Sequence, residues 1–191
     1  NGSGKHNNWS MATDTGINLL SAGKQPGNNL PFITYFVNII KAVKDNADVL
    51  RASISGPGND HRLGANEAPP AIISIFTGSE MAKLLDEFEK IGLNPNAPEG
   101  NPTMELDIPK IPSAILDNTD RNRTSPFPFI GNRFEFRAAG STQNCSLPMM
   151  TLNTLVADQL VSFKKSVDEK ISSGSPTVSY THLRAHETVR N

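Results

Sequence analysis

Residues 133 to 137 read Arg133-Phe134-Glu135-Phe136-Arg137, a strict alternation of charged and aromatic side chains. On an extended strand, successive side chains point to opposite faces. Phe134 and Phe136 would therefore enter a core, leaving Arg133, Glu135 and Arg137 together on the other face. No helical arrangement separates these two sets so cleanly. A carboxylate held between two guanidinium groups suits a site that binds a metal ion and handles phosphate. A solvated strand with a surface ion pair has the same pattern. The alternation fixes the local fold, and its neighbours must decide the chemistry.

Around this strand the chain reads as a mixture of helices and short strands. Phe127 to Ala139 is predicted to be two extended segments meeting in a tight turn at Gly131-Asn132. Asn29 can cap a helix with Pro31 in its first turn, and Phe32, Ile33, Phe36, Val37, Ile40, Val43, Ala47 and Leu50 follow at helical spacing as a core stripe. Ser55 to Pro70 is rich in Gly, Pro and Asn and reads as a loop, and Ala71 to Phe76 as a short buried strand. Ser79 can cap a helix carrying Met81, Leu84, Leu85 and Phe88 that ends at Gly92. Residues 94 to 112, punctuated by Pro95, Pro98, Pro102, Pro109 and Pro112, read as irregular. A last helix is predicted after Pro148, with Met149, Leu152, Leu155, Val156, Leu160, Phe163, Val167 and Ile171 on its buried side.

A chain of 191 residues fits one ordinary domain with a core of its own. At 37 % hydrophobic residues it falls outside the membrane and disordered classes, and its apolar runs are far shorter than a bilayer span. No secretory signal pattern is visible. The single cysteine, Cys145, excludes an internal disulfide framework and favours a reduced, cytoplasmic compartment. A net charge of −1 gives no support for a nucleic-acid partner. In such a compartment the glycosylation patterns at Asn8, Asn122 and Asn144 carry no meaning.

Three further polar clusters accompany the strand. The chain opens Asn1-Gly2-Ser3-Gly4-Lys5-His6-Asn7-Asn8-Trp9-Ser10, which lacks the spacing of a P-loop. It continues with Asn59-Asp60-His61-Arg62-Leu63-Gly64-Ala65-Asn66-Glu67-Ala68-Pro69-Pro70, and Asp120-Arg121-Asn122-Arg123-Thr124-Ser125-Pro126 stands directly before the hairpin. These clusters, in this order, resemble the active-site segments of glutamine synthetases. The runs NDHRLGANEAPPAIISIF and DNTDRNRTSPFPFIGNRFEFRAAGS resemble the type III branch, and the resemblance covers roughly residues 1 to 171.

The resemblance implies an α+β fold, a curved antiparallel sheet backed by helices and incomplete at its N-terminus, with residues 1–177 forming part of the catalytic domain. It implies ATP-dependent ligation of ammonia to the glutamate side chain through γ-glutamyl phosphate, with two or more Mg²⁺ or Mn²⁺ ions per site. Phosphoryl transfer needs such ions and cationic groups because charge spreads over the moving oxygens. Residue by residue, His6 and Glu135 match ligands of the nucleotide-side metal. Asn1 and Gly2 match positions that hold glutamate, while Asn8 and Ser10 match positions that contact ATP. Many relatives carry His where Asn8 stands, so a phosphate contact there would be a neutral hydrogen bond. Arg62 resembles the arginine that pairs with the substrate carboxylate. Glu67 resembles the flap glutamate that closes the site, helps hold ammonium and accepts its proton. The interval from Arg62 to Glu67 is one residue shorter than in the type I branch. Arg123 matches the arginine that bridges the phosphates and stabilises the transferred group, with Arg121 supporting its loop. Arg137 matches a position contacting glutamate and the phosphoryl group, and Arg133 one near the nucleotide.

The family builds its metal sites largely from glutamates upstream of the first segment, and an aspartate from a neighbouring subunit completes the ammonium pocket. The expectation is therefore a homo-oligomeric ring, dodecameric in type III, with the isolated 191-residue chain inactive. Two other readings are a ligase using another amine acceptor and a non-catalytic descendant with a structural role. The retained His6, Arg123, Glu135 and Arg137 argue against the latter. Residues 178–191 stand apart. Val178 to Thr188 is similar to a sequencing-library adapter translated in one reading frame, so His182, His186 and Glu187 are excluded as a metal site.

Overall fold

A computed structural model describes residues 4–24, 26–59, 73–91, 103–104, 114–115 and 125–173. The hairpin predicted around Gly131 is present. Strand β5 (Phe127–Pro128) leads through an antiparallel bridge between Phe129 and Phe134 into β6 (Phe134–Ala139). Ile130 N–H donates to Arg133 O at 2.7 Å, closing a two-residue turn. Gly131 takes φ of 69°, where a Cβ would be strained. The alternation in β6 holds, since Phe134 and Phe136 are fully buried and Glu135 is only partly so.

The core gathers around those aromatics. Phe134 stacks on Phe127 with ring centroids 4.7 Å apart and on Phe36 at 5.6 Å, and Phe36 meets Phe129 edge-on at 4.8 Å. Phe36 lies on α1 (Leu30–Asp45), so the strand and this helix share one hydrophobic layer. The start of α1 follows the predicted cap. Asn29 Oδ1 accepts from Phe32 N–H at 3.2 Å, and Asn29 Nδ2 donates to the carbonyls of Ser21 and Ala22.

The stripe running from Phe32 to Leu50 is divided between two helices. The chain leaves helical geometry at Asn46 (φ −128°, ψ 30°), and α2 (Ala47–Ala52) follows. Asn46 Nδ2 donates to Ala42 O at 2.9 Å, taking the carbonyl that a continuing helix would use for its own backbone. Leu50 still reaches the core and is fully buried.

Strand β2 (Ile75–Phe76) pairs in parallel with β5. Helix α3 (Ser79–Ile91) buries Met81, Leu85 and Phe88 as expected. Ser79 is its first residue rather than a residue ahead of it, and Gly78 O accepts the bond from Ala82 N–H. Within the stretch expected to be irregular, Thr103–Met104 (β3) pairs antiparallel with Ala114–Ile115 (β4). Helix α4 (Ser146–Ser172) begins two residues before Pro148, which sits in the first turn where its missing N–H costs nothing. Leu152 and Val156 are buried against the core, and a buried polar pair, Gln159 Nε2 to Asn38 Oδ1 at 2.8 Å, fixes α4 on α1. The stripe does not stay buried to its end. Ile171 is 55 % exposed, because the last turns of α4 run past the described core.

The described elements are thus a mixture of helices and three two-stranded sheets, two antiparallel and one parallel, compatible with the α+β class. A curved sheet is not formed among the described residues. Among those residues no helix is long and apolar enough to cross a membrane.

Candidate functional site

The opening segment forms β1 (Lys5–Trp9), which pairs antiparallel with β6 although more than a hundred residues separate them. Trp9 stands opposite Phe134, Asn8 opposite Glu135 and Asn7 opposite Phe136. Cross-strand partners share a face, so His6, Asn8 and Ser10 line the side that bears Arg133, Glu135 and Arg137. Beyond Asn7 the register shifts, with Lys5 opposite Ala139. One residue of β1, His6, therefore stands against two of β6, Arg137 and Ala138. This is a β-bulge, a feature that re-aims side chains.

The cluster lies at that bulge. His6 Nδ1 is 3.7 Å from Glu135 Oε2, and Arg137 Nε donates to the same carboxylate oxygen at 2.6 Å. The Glu135 and Arg137 side chains are 12 % and 10 % exposed, whereas the His6 side chain is 51 % exposed. A carboxylate pinned by a buried guanidinium thus faces an imidazole open to solvent. A carboxylate oxygen suits hard divalent ions and an imidazole nitrogen suits transition-metal ions, so the two together are a donor pair for a divalent transition-metal cation. With metal–ligand distances of ~2.1 Å, two ligands of one ion lie no more than ~4.2 Å apart, so the pair fits a shared cation. No group of three or more potential metal-ligating side chains occurs among the described residues.

Along the same face, Arg133 Nε donates to Asn8 Oδ1 at 2.9 Å, and Arg133 Nη1 to Asn132 Oδ1 at 3.2 Å. Two neutral amides orient this guanidinium without cancelling its charge. Ser10 Oγ lies 2.8 Å from Asn18 Oδ1 and 3.2 Å from Asn132 O. Its hydroxyl hydrogen is committed to the protein, leaving it only acceptor capacity towards a ligand.

Six of the residues singled out from sequence, His6, Asn8, Ser10, Arg133, Glu135 and Arg137, are therefore gathered on one face of one strand pair. Asn1, Gly2, Arg62, Glu67 and Arg123 lie outside the described residues, as do Arg121 and residues 174–191. Sequence reasoning overlooked Asn18 and Asn132, which anchor Ser10 and Arg133. Asn132 belongs to the Gly-Asn turn and was readable as a turn residue, while Asn18 gives no sequence signal.

No protein-family model matches the chain. Curated relatives do. The chain is 57 % identical over 175 residues to a glutamine synthetase of Bacteroides fragilis (strain YCH46), and 50 % identical over 175 residues to a type-3 glutamine synthetase of Dictyostelium discoideum. Each match covers 91 % of this chain and 24 % of the relative. A glutamine synthetase of Butyrivibrio fibrisolvens is 55 % identical over 135 residues, 71 % of this chain and 19 % of that protein. Over most of its length, therefore, the chain matches glutamine synthetases, a type-3 glutamine synthetase among them, and spans about a fifth to a quarter of the length of each.

Proposed function

We propose that this chain forms part of the active site of an ATP-dependent ligase that joins ammonia to the side-chain carboxylate of glutamate, releasing ADP and phosphate. The observation that carries the reading is the approach of His6 and Glu135 to 3.7 Å across a strand pair, with Arg137 on the same carboxylate. His6 and Glu135 would hold a divalent cation, which neutralises phosphate charge during phosphoryl transfer when bound. Arg137 fixes the orientation of Glu135, so the carboxylate is ordered before a ligand arrives. Arg133, steered by Asn8 and Asn132, presents positive charge towards the nucleotide, and Asn8 supplies a neutral donor. Arg123 is assigned to stabilising the transferred phosphoryl group, Arg62 to the substrate carboxylate, and Glu67 to accepting the proton from ammonium. Asn1 and Gly2 are assigned to holding glutamate.

The complete fold is read as a curved antiparallel sheet backed by helices, in a ring-shaped homo-oligomer of the cytoplasm. Residues 178–191 are read as foreign to it. The 191-residue chain alone is inactive on this reading, which expects further metal-ligating glutamates and an aspartate from a neighbouring subunit to complete the site.

The test is a chimera in which this chain replaces its matching stretch of the Bacteroides fragilis protein. Glutamate- and ammonia-dependent ADP release by the chimera, with no γ-glutamyl hydroxamate formed by the purified 191-residue chain, is the expected result. A folded chimera without ligase activity overturns the reading.

A further inference from the structure

We propose that Asn59 is a positioning residue that holds the bulge in β6, and through it Arg137, in place. The inference rests on the proposed ligase reading, in which the Arg137 position contacts glutamate. Asn59 ends a short helical turn (Pro57–Asn59) and is completely buried, which is unusual for an amide side chain. Its Nδ2 donates to Ile54 O and to Ala138 O, each at 3.0 Å, and its Oδ1 accepts from Gly140 N–H at 2.6 Å. Both amide hydrogens and the amide oxygen are thus spent on backbone groups from two distant parts of the chain.

The partners explain why an asparagine is needed. Ala138 is one of the two bulge residues, so its carbonyl lies where the ladder with β1 is interrupted, and Gly140 follows directly after β6. A buried carbonyl and a buried N–H at such a break require partners from elsewhere. A single amide supplies two donor hydrogens and an acceptor at once, which neither a carboxylate nor a hydroxyl reproduces. The turn is clamped a second time by Thr142 Oγ1, which donates to Gly58 O at 2.6 Å. At Gly58 a Cβ would lie 2.9 Å from Gln143 Oε1 and 3.2 Å from Thr142 O, so the backbones approach as closely as glycine allows. Lys5 Nζ also donates to Gln143 O at 2.7 Å, tying the residue before His6 to the same turn. Residues 140–143 therefore join three segments: the start of β1, the end of β6, and the chain three residues ahead of Arg62.

The consequence is a backbone held fixed immediately after Arg137. The experiment uses the same chimera with Asn59→Ala and, separately, Thr142→Val. For Asn59→Ala the KM for glutamate rises about tenfold or more, since a displacement of ~1 Å at a positioning group can cost ~10² in rate or binding. The KM for ATP stays within about twofold, because Asn8 and Arg133 hold one another and Asn132 away from the bulge. Thr142→Val shifts the glutamate KM in the same direction by a smaller factor at unchanged Tm, and decides the matter if Asn59→Ala does not fold. A purely structural Asn59 would lower the yield of active enzyme and leave every KM unchanged; that outcome overturns the proposal. An unsubstituted chimera lacking activity overturns the ligase reading instead, and this inference with it.

Discussion

The pair at the centre of the site makes a quantitative claim. Glu135 and Arg137 are both about nine-tenths buried and share a 2.6 Å charge-assisted bond. Replacing Arg137 by Met removes the cation while keeping most of the volume, and leaves a carboxylate in a largely water-excluded position. Removing one partner of a buried ion pair costs ~3–5 kcal/mol, whereas replacing both by groups of similar shape is often close to neutral. Glu135→Gln keeps an acceptor for Arg137 Nε and is the milder single change, about 1–3 kcal/mol. The double variant Glu135→Gln/Arg137→Met is therefore expected to be more stable than Arg137→Met alone, with a coupling energy of about 4 kcal/mol. With an m-value of ~2 kcal/mol/M in urea, Arg137→Met moves the unfolding midpoint down by about 2 M, and the double variant recovers about half of that. Urea titrations of the four proteins, followed by circular dichroism without metal, measure the cycle. Strictly additive midpoints would refute the reasoning, because they would mean that the two charges do not sense one another and that Arg137 does not orient the carboxylate.

Three further outcomes follow from single positions. His6→Ala should weaken Mn²⁺ binding to the chimera by tenfold or more, as isothermal titration reads it, with a stability change within about 0.5 kcal/mol because the imidazole is half exposed. Asn29→Ala removes a cap whose amide also holds Ser21 and Ala22, and should cost about 1–2 kcal/mol in a urea titration. Gly131→Ala places a Cβ at φ of 69° and should cost about 1–2 kcal/mol by the same measurement, with Gly131→Asn costing less.

The hairpin, the cap at Asn29 and the burial of Phe134 and Phe136 were legible because each follows from local chemistry: an alternation, an amide acceptor, and a glycine at a turn. The site was legible in a different manner. Nothing local to His6 predicts a partner at Glu135; the matched motifs supplied that pairing, and the strand register then accounts for it physically. Features governed by competition between side chain and backbone escaped notice. Asn46 diverts the Ala42 carbonyl and splits one helix into two, although the apolar spacing runs through unbroken. The outer turns of α4 keep a helical apolar stripe up to Ile171, yet spacing alone says nothing about whether a neighbour lies beside it. Asn59 opens a motif read for its arginine and glutamate, and its saturated amide became visible only when the backbone groups of residues 54, 138 and 140 were seen to converge on it.

The extra residue where β6 faces His6 makes the length of that strand as consequential as its composition. Deleting Ala138 would give a smoother ribbon, with better-matched amides and fewer irregular angles, and by sheet criteria alone it would count as a repair. Yet the bulge that sets Arg137 against His6 would be lost, and the tie to Asn59 would disappear. A variant library that permits single-residue deletions should therefore tolerate them in the surface loops and reject them here, even where no ligand-contacting residue is touched.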